Sequence, residues 1–199
     1  MNDEELSLEE FLDEIKQHQN NEWNKTVPIK SRQEDGFMCY DCYLTGDIGS
    51  PNNYNELHYV LTTALAGDIV NLHINTGGGY IDSAFQLVHA IKTSKAFVHA
   101  HIVGTVASAG TIVALSCHDL EVAQFTQFMI HNYSTGTHGK GHEVMDYINF
   151  NDKTLKDVFK QIYKGFLTDK EIVAVLNGKD MWLNSDDVAK RWLKYQEAK

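Results

Sequence analysis

The feature of this sequence that most restricts its fold is an alternation of short apolar runs with segments of helical periodicity. Residues 69–74 and 96–103 have the length of buried strands, whereas residues 55–66, 83–92 and 107–116 place apolar side chains at helical spacing. Strands that alternate with helices of about ten residues are typical of βαβ units, whose parallel strands form one sheet with helices on both faces. The sequence therefore predicts an α/β fold around a largely parallel sheet.

Two loops of this pattern are expected at the same edge of the sheet, because functional loops of open α/β sheets lie at the carboxyl ends of the strands. The glycine loop 77–79 follows one predicted strand, and the segment 104–110 follows the next. Ser108 stands where that second strand gives way to a helix, near backbone N–H groups without a partner inside the helix. It is a candidate nucleophile, although a hydroxyl in a small-residue packing segment is an equally open interpretation of these seven residues.

A nucleophilic serine needs a base, and the base needs an acceptor that orients it. His131 follows the apolar segment 128–130, and the chain turns polar at Asn132, so this imidazole is expected at a strand end. Asp180 stands directly before the apolar residues 181–182, and a carboxylate that enters a buried segment needs a partner such as an imidazolium. His131 and Asp180 are therefore the candidate base and acid.

Other histidines receive different interpretations. Four lie inside predicted strands or helices, where structural or solvent-exposed roles are favoured over catalysis: His73, His89, His99 and His101. His138 and His142, with Glu143 beside them, have the composition of a metal cluster, but they lie in a glycine-rich segment without preformed geometry. No metal site is predicted.

Composition excludes several classes of protein. The net charge of -10 opposes binding to nucleic acid, and no apolar stretch reaches the roughly 18 residues of a membrane span. The three cysteines are odd in number, and the Cys39/Cys42 pair lacks the second pair of a Cys₄ zinc site, so reduced thiols and a cytoplasmic location are expected. The acidic N-terminus does not have the pattern of a secretory signal.

The length of 199 residues suits one well-cored domain with appendages. Residues 7–10 have the spacing of a capping box, and Leu8, Phe11 and Ile15 fall on one helical face, which predicts an amphipathic helix and a tether over residues 1–25. A removable leader, a partner-docking helix and a packing helix are all compatible with that segment. Residues 26–199 are predicted to form the main domain.

Four segments, in this order, resemble the ClpP-like serine proteases, the proteolytic subunits of ATP-dependent Clp proteases. They are Ile-Asn-Thr-Gly-Gly-Gly at 74–79, Gly-x-x-Ala-Ser-x-Gly at 104–110, Met-Ile-His at 129–131 and Asp-Met-Trp-Leu at 180–183. The resemblance covers about residues 67–195 and identifies the chain as a divergent member. It implies a ClpP/crotonase-like spiral of βαβ units with a protruding handle at about 132–167.

The resemblance also implies roles for single residues. Ser108 would be the nucleophile, His131 its base and Asp180 the residue that orients the base, and the backbone N–H groups of Gly79 and Ala109 would form the oxyanion hole. Residues at two flanking segments would hold an extended peptide by strand addition: Gly78, Tyr80, Ile81, Asn132 and Tyr133. Departures from the family pattern include Gly77 in place of proline and Trp192 in place of glycine.

The resemblance implies an assembly as well. A homo-oligomer is expected, with seven subunits in a ring, two rings around a chamber and an AAA+ unfoldase that uses ATP and delivers polypeptide. This chain itself is expected to hold no cofactor. The alternatives are a specialised protease that matures a partner protein, as viral capsid-processing members of this fold do, a crotonase-type acyl-CoA enzyme, which would use carboxylates, and an inactive assembly subunit.

Overall fold

The computed structural model describes residues 26–197 and arranges seven strands of this range into one sheet. The amphipathic helix predicted within residues 1–25 lies outside the described residues. The strands are β1 (Ile29–Glu34), β2 (Phe37–Thr45), β3 (Ile69–Thr76), β4 (Phe97–Ala107), β5 (Asp119–Val122), β6 (Gln127–Ile130) and β7 (Met181–Asn184).

Within residues 26–197, a short 3₁₀ helix (Pro51–Tyr54) and six α-helices connect or follow these strands. The α-helices are α1 (Asn55–Thr63), α2 (Ile81–Thr93), α3 (Ala109–Ser116), α4 (Gly141–Tyr163), α5 (Asp169–Leu176) and α6 (Ser185–Glu197). The strand order is β1-β2-β3-β4-β6-β7, and β5 also pairs with β4. Strands β2 to β6 pair in parallel, whereas β1 and β7 join the two edges antiparallel. The predicted α/β fold with a largely parallel sheet is confirmed.

The two faces of the central strands differ in chemistry. One face carries fully buried aliphatic side chains such as Leu72 of β3 and Val98 of β4. The opposite face carries polar residues such as Asn71, His73 and His101, and the side chains of these two histidines keep about a third of their surface exposed. The prediction of a sheet covered on both faces is wrong here, because these strands alternate apolar with polar residues whereas strands buried on both sides are continuously apolar.

Helix α3 is buried from Ala109 to Leu115. The predicted start at residue 107 is two residues early, because β4 continues through Ala107, which pairs with Met129 of β6. The strand therefore ends directly before Ser108, and the helix begins directly after it.

Helix α4 begins at Gly141 and lies in the segment 132–167 that was predicted as a handle. Most of its side chains are exposed, and the buried ones lie in its second half: Leu155, Phe159 and Tyr163. The Tyr163 hydroxyl is 2.7 Å from Thr111 Oγ1 of α3. This contact attaches the end of the long helix to the helix that follows Ser108.

Helices α5 and α6 hold the segment that leads into β7. Arg191 of α6 donates two hydrogen bonds to the Glu171 carboxylate of α5, at 2.7 and 3.0 Å. This ion pair and the bonds from Thr168 lower the pKa of Glu171 to about 2. In the chain, Asp180 lies between these two helices and immediately before β7. The elements on both sides of Asp180 therefore restrict the position of its backbone.

The three cysteines are buried thiols, and burial raises the pKa of Cys42 to about 12. None of the helices formed by residues 26–197 combines the length and the apolar character needed to cross a bilayer.

Candidate active site

Ser108 occupies a sharp turn between β4 and α3. Its φ of 53° and ψ of -125° lie outside the conformations that a serine ordinarily adopts. The turn is held on both sides, since Ser108 N donates to Met129 O at 2.8 Å and Ser108 O accepts from Thr111 N at 2.9 Å. Strained residues of this kind persist only where the surrounding structure holds them, and they concentrate at functional sites. The strain here places the Ser108 side chain at the carboxyl end of the sheet.

His131 contacts the Ser108 hydroxyl. Strands β4 and β6 are parallel neighbours that end together, so Ser108 and His131 both lie just beyond paired strand ends. The distance from His131 Nε2 to Ser108 Oγ is 2.7 Å, which is a hydrogen bond. An imidazole in this position can accept the hydroxyl proton when its own proton is on Nδ1. The structure thus brings together the serine and the histidine that the sequence selected.

Asp180 lies opposite His131 in the register of the sheet. Strand β7 runs antiparallel to β6, and Met181 pairs with Ile130, so the next facing pair is Asp180 and His131. Facing residues of an antiparallel pair have their side chains on the same side, within about 5.5 Å at Cβ. The Asp180 side chain is exposed, and among the described residues it forms no hydrogen bond or ion pair with His131. Its catalytic role stays a prediction.

The glycine loop lies against Ser108. A Cβ on Gly78 would lie 2.6 Å from Ser108 Cβ, and one on Gly79 would lie 2.2 Å from Ile48 O, so neither position has room for a side chain. Two backbone hydrogen bonds fix the loop to the buried Ile48: Ile48 N donates to Gly78 O at 2.7 Å, and Tyr80 N donates to Ile48 O at 2.8 Å. Glycine is required here for close approach as well as for the positive φ of both residues.

Two backbone donors beside Ser108 have no acceptor among residues 26–197. They are the N–H of Gly79, which the pairing with Ile48 leaves unused, and the N–H of Ala109, which begins α3. Gly79, Ser108 and Ala109 line the same cavity, and Gly78 packs against Ser108. A negative oxygen that formed on a group attacked by Ser108 could accept hydrogen bonds from them.

A cavity of about 560 Å³ opens beside Ser108. Its wall includes Tyr80, Ile81 and Tyr133, three residues that the sequence assigned to substrate binding. The other two lie elsewhere: Gly78 packs on Ser108, and the Asn132 side chain donates to Leu176 O at 3.1 Å. Sequence reasoning missed the apolar wall contributed by helices α2, α3 and α4: Phe85, Ile112, Leu155 and Phe159. The apolar faces of those helices were the sequence signal that could have indicated this wall. Residues of the hydrophobic core show the same spacing, so the pattern does not distinguish a cavity wall from the core.

Tyr133 connects the strand end at His131 to the long helix. Its hydroxyl donates to Asp152 Oδ1 of α4 at 3.2 Å, and Lys156 Nζ donates to the other oxygen of that carboxylate at 2.7 Å. Partial burial and the negative charge of Asp152 raise the pKa of Tyr133, while the ammonium of Lys156 lowers the pKa of Asp152. The segment after His131 is thereby fixed as one wall of the cavity.

Two comparisons with known proteins found similar sequences. The sequence model of the Clp protease family matches residues 52–192, which include the glycine loop, Ser108, His131 and Asp180. The chain is also 25% identical over 178 residues to the ATP-dependent Clp protease proteolytic subunit 2 of Treponema denticola. That alignment covers 84% of this chain and 88% of the relative.

Proposed function

Because the chain belongs to the Clp protease family, we propose that it is a serine endopeptidase in which Ser108 is the nucleophile and His131 the general base. The observation that carries the proposal is the 2.7 Å hydrogen bond from the Ser108 hydroxyl to His131 Nε2 at a strained turn. Two unused backbone donors and a cavity adjoin this pair. A crotonase-type enzyme or an inactive subunit would not need such a pair.

The reaction follows from the positions of these atoms. Ser108 Oγ attacks the scissile carbonyl carbon while His131 Nε2 takes the hydroxyl proton, and a tetrahedral intermediate forms. His131 then delivers that proton to the leaving amine, which breaks the peptide bond and leaves an acyl ester on Ser108. A water molecule, deprotonated by the same nitrogen, hydrolyses the ester and restores the serine.

The developing oxyanion is stabilised by the N–H groups of Gly79 and Ala109. Such donors act without reorganisation, because the glycine loop and the helix start already hold them. One donor of this kind contributes about 2.7–4 kcal/mol to the transition state. The exposed Asp180 supplies the third catalytic group when its side chain turns toward His131.

The substrate is an extended polypeptide. The backbone after His131 flanks Ser108 and can pair with a peptide main chain, which gives affinity with little side-chain selectivity. The backbone after Gly79 was expected to do the same, but the Tyr80 N–H and C=O already bond Ile48 O and Ala84 N, and a helix begins at Ile81. The adjoining cavity is lined by Phe85, Ile112 and Phe159, so it accepts an apolar side chain next to the cleaved bond. General turnover of delivered polypeptides and maturation of one partner protein both fit this chemistry.

Assembly into rings is part of the proposal. The first half of α4 exposes four large apolar side chains, which a second copy of this chain would cover: Met145, Tyr147, Ile148 and Phe150. Exposed apolar groups concentrated on one protruding helix mark protein interfaces. An ATP-dependent unfoldase is the proposed partner that delivers substrate to the assembled rings.

Fluorophosphonate labelling tests the nucleophile directly. We expect the full-length protein to form one covalent adduct, which peptide mass spectrometry assigns to Ser108, and we expect the Ser108→Ala variant to form none. Alanine keeps the Cβ and therefore the backbone strain of serine at this turn. Ser134→Ala is the matched control, because Ser134 is exposed in the wall of the same cavity. An adduct on another serine, or none in an assembled sample, would overturn the proposal.

Gly79→Ala is expected to lower kcat for peptide hydrolysis by about 10²–10³-fold, the effect of removing one oxyanion donor. Its new Cβ would lie 2.2 Å from Ile48 O, so the loop must move away from Ser108. Gly77→Ala is the control, since a Cβ there meets nothing closer than Asp47 Oδ1 at 3.7 Å. Steady-state kinetics and thermal melting of both variants measure the effect. Equal activity of the two variants would exclude Gly79 as a donor.

A further inference from the structure

The polar face of the sheet, on the side away from the aliphatic core, carries a group of facing histidines and carboxylates. In the parallel register of β4 and β5, His99 lies opposite Asp119 and His101 lies opposite Glu121. Residues two apart on a strand point to the same face, so all four side chains share one surface. Potential ligand atoms of His99, His101 and Glu121 all lie within 4.8 Å of one another.

The hydrogen bonds around His101 fix the direction of its ring nitrogens. Asn71 Nδ2 donates to the Asp41 carboxylate at 3.0 Å, which turns the amide oxygen of Asn71 toward His101 Nε2, 3.4 Å away. His101 Nε2 therefore carries a proton. His101 Nδ1 then faces Glu121 Oε2 at 2.7 Å, a distance at which two lone pairs repel unless a cation lies between them. Either a proton or a metal ion can take that place.

The Nε2 atom of His99 is buried, and none of residues 26–197 forms a hydrogen bond with it. Within the same range, the nearest carboxylate oxygen is Asp119 Oδ2, 3.8 Å away. The rings of His99 and His101 lie 4.2 Å apart between centroids.

We propose that His99, His101 and Glu121 form a binding site for a divalent transition metal, with Zn²⁺ as the probe. Two imidazole nitrogens and one carboxylate oxygen are a ligand set that zinc accepts, with water in the fourth position. Ligand atoms of a tetrahedral zinc site lie about 3.3 Å apart, because each is about 2.0–2.1 Å from the metal. The 2.7 Å between His101 Nδ1 and Glu121 Oε2 and the upper limit of 4.8 Å for the whole group lie on either side of that value.

The surroundings match those of other metal sites. Metal-ligating histidines usually donate their second N–H to an oxygen acceptor, as His101 does to Asn71, and this contact orients the ring. The bound ion would join β4 to β5. It would lie roughly 20 Å from the nucleophile, since His101 precedes Ser108 by seven residues along β4 at about 3.3 Å each. The site is therefore independent of the proposed peptidase centre.

Calorimetric titration of the untagged, metal-free, full-length protein with ZnCl₂ tests the proposal. We expect one ion to bind per chain, and we expect both His99→Gln and Glu121→Gln to weaken its affinity by at least about tenfold. Glu121→Gln covers the case in which His99→Gln fails to fold, because the Glu121 side chain is mostly exposed. Visible absorption after Co²⁺ addition supplies a second readout of nitrogen and oxygen ligation.

The matched control replaces His138 and His142 with glutamine. These histidines are exposed, and Glu143 follows them, so they offer the same side-chain types without the strand geometry. Unchanged zinc affinity in this control, with loss in the other two variants, supports the site on the sheet. The proposal would be overturned if the wild-type protein bound no zinc. It would also be overturned if zinc still bound with unchanged affinity in both His99→Gln and Glu121→Gln, or if only the control variant lost zinc binding.

Discussion

Replacing His131 with alanine is expected to lower kcat for peptide hydrolysis by about 10⁴-fold or more. The Ser108 hydroxyl would lose the Nε2 acceptor that lies 2.7 Å from it, and no other side chain of residues 26–197 accepts a hydrogen bond from that hydroxyl. The substitution removes a half-buried side chain at a strand end, so the fold should be retained. Stopped-time assays with a fluorogenic peptide measure the loss, and circular dichroism checks the fold.

His89→Ala is the control for this prediction. His89 is an exposed histidine in α2, and alanine is a better helix former, so neither activity nor stability should fall. Turnover by His131→Ala within about tenfold of the wild-type value would show that another group removes the proton. The hydrogen bond from Ser108 would then be structural.

Replacing Asp180 with asparagine is expected to lower kcat by about 10⁴-fold while the melting temperature stays unchanged. An amide facing the imidazole can donate to Nδ1, which favours the tautomer with its proton on Nε2, and that nitrogen can then accept nothing from Ser108. Stability should not change, because the Asp180 side chain is exposed and forms no ion pair with His131 among the described residues. Steady-state kinetics alongside thermal melting separates these effects.

Asp35→Asn is the matched control, since Asp35 is an exposed acid in the turn between β1 and β2. The Asp35→Asn variant should keep the wild-type kcat and the wild-type melting temperature. The register that sets Asp180 opposite His131 is the reason to expect a large effect from an exposed residue. Near-normal turnover by Asp180→Asn would mean that the orienting acceptor is a different group.

Much of the fold follows from local patterns. The start of helix α5 is set locally, because Thr168 and Glu171 form a reciprocal capping box within four consecutive residues. The apolar run at 69–74 is strand β3, extended by two residues through Thr76. Strand β7 was not predicted as a strand, since four residues with alternating burial carry too weak a pattern to be recognised without their partner β6.

Part of the candidate site could likewise be predicted from local sequence patterns, and part could not. Ser108 and His131 could be selected from the sequence because Ser108 lies where a predicted strand gives way to a helix and His131 directly follows an apolar run. The ends of neighbouring parallel strands then meet at one edge of the sheet. Asn132 was assigned to substrate binding on its position after His131, but its amide bonds Leu176 O instead. That acceptor is 44 residues away in the chain, so no local pattern could indicate it.

The sequence by itself determined the alternation of strands and helices and the two strand ends that carry Ser108 and His131, because burial periodicity is a local property of the chain. Only the tertiary structure decided which helices line the cavity, that Asp180 faces His131, and that two histidines and a glutamate meet on the polar face of the sheet. Those contacts depend on the register between strands distant in sequence, and register is set by the packing of the whole sheet.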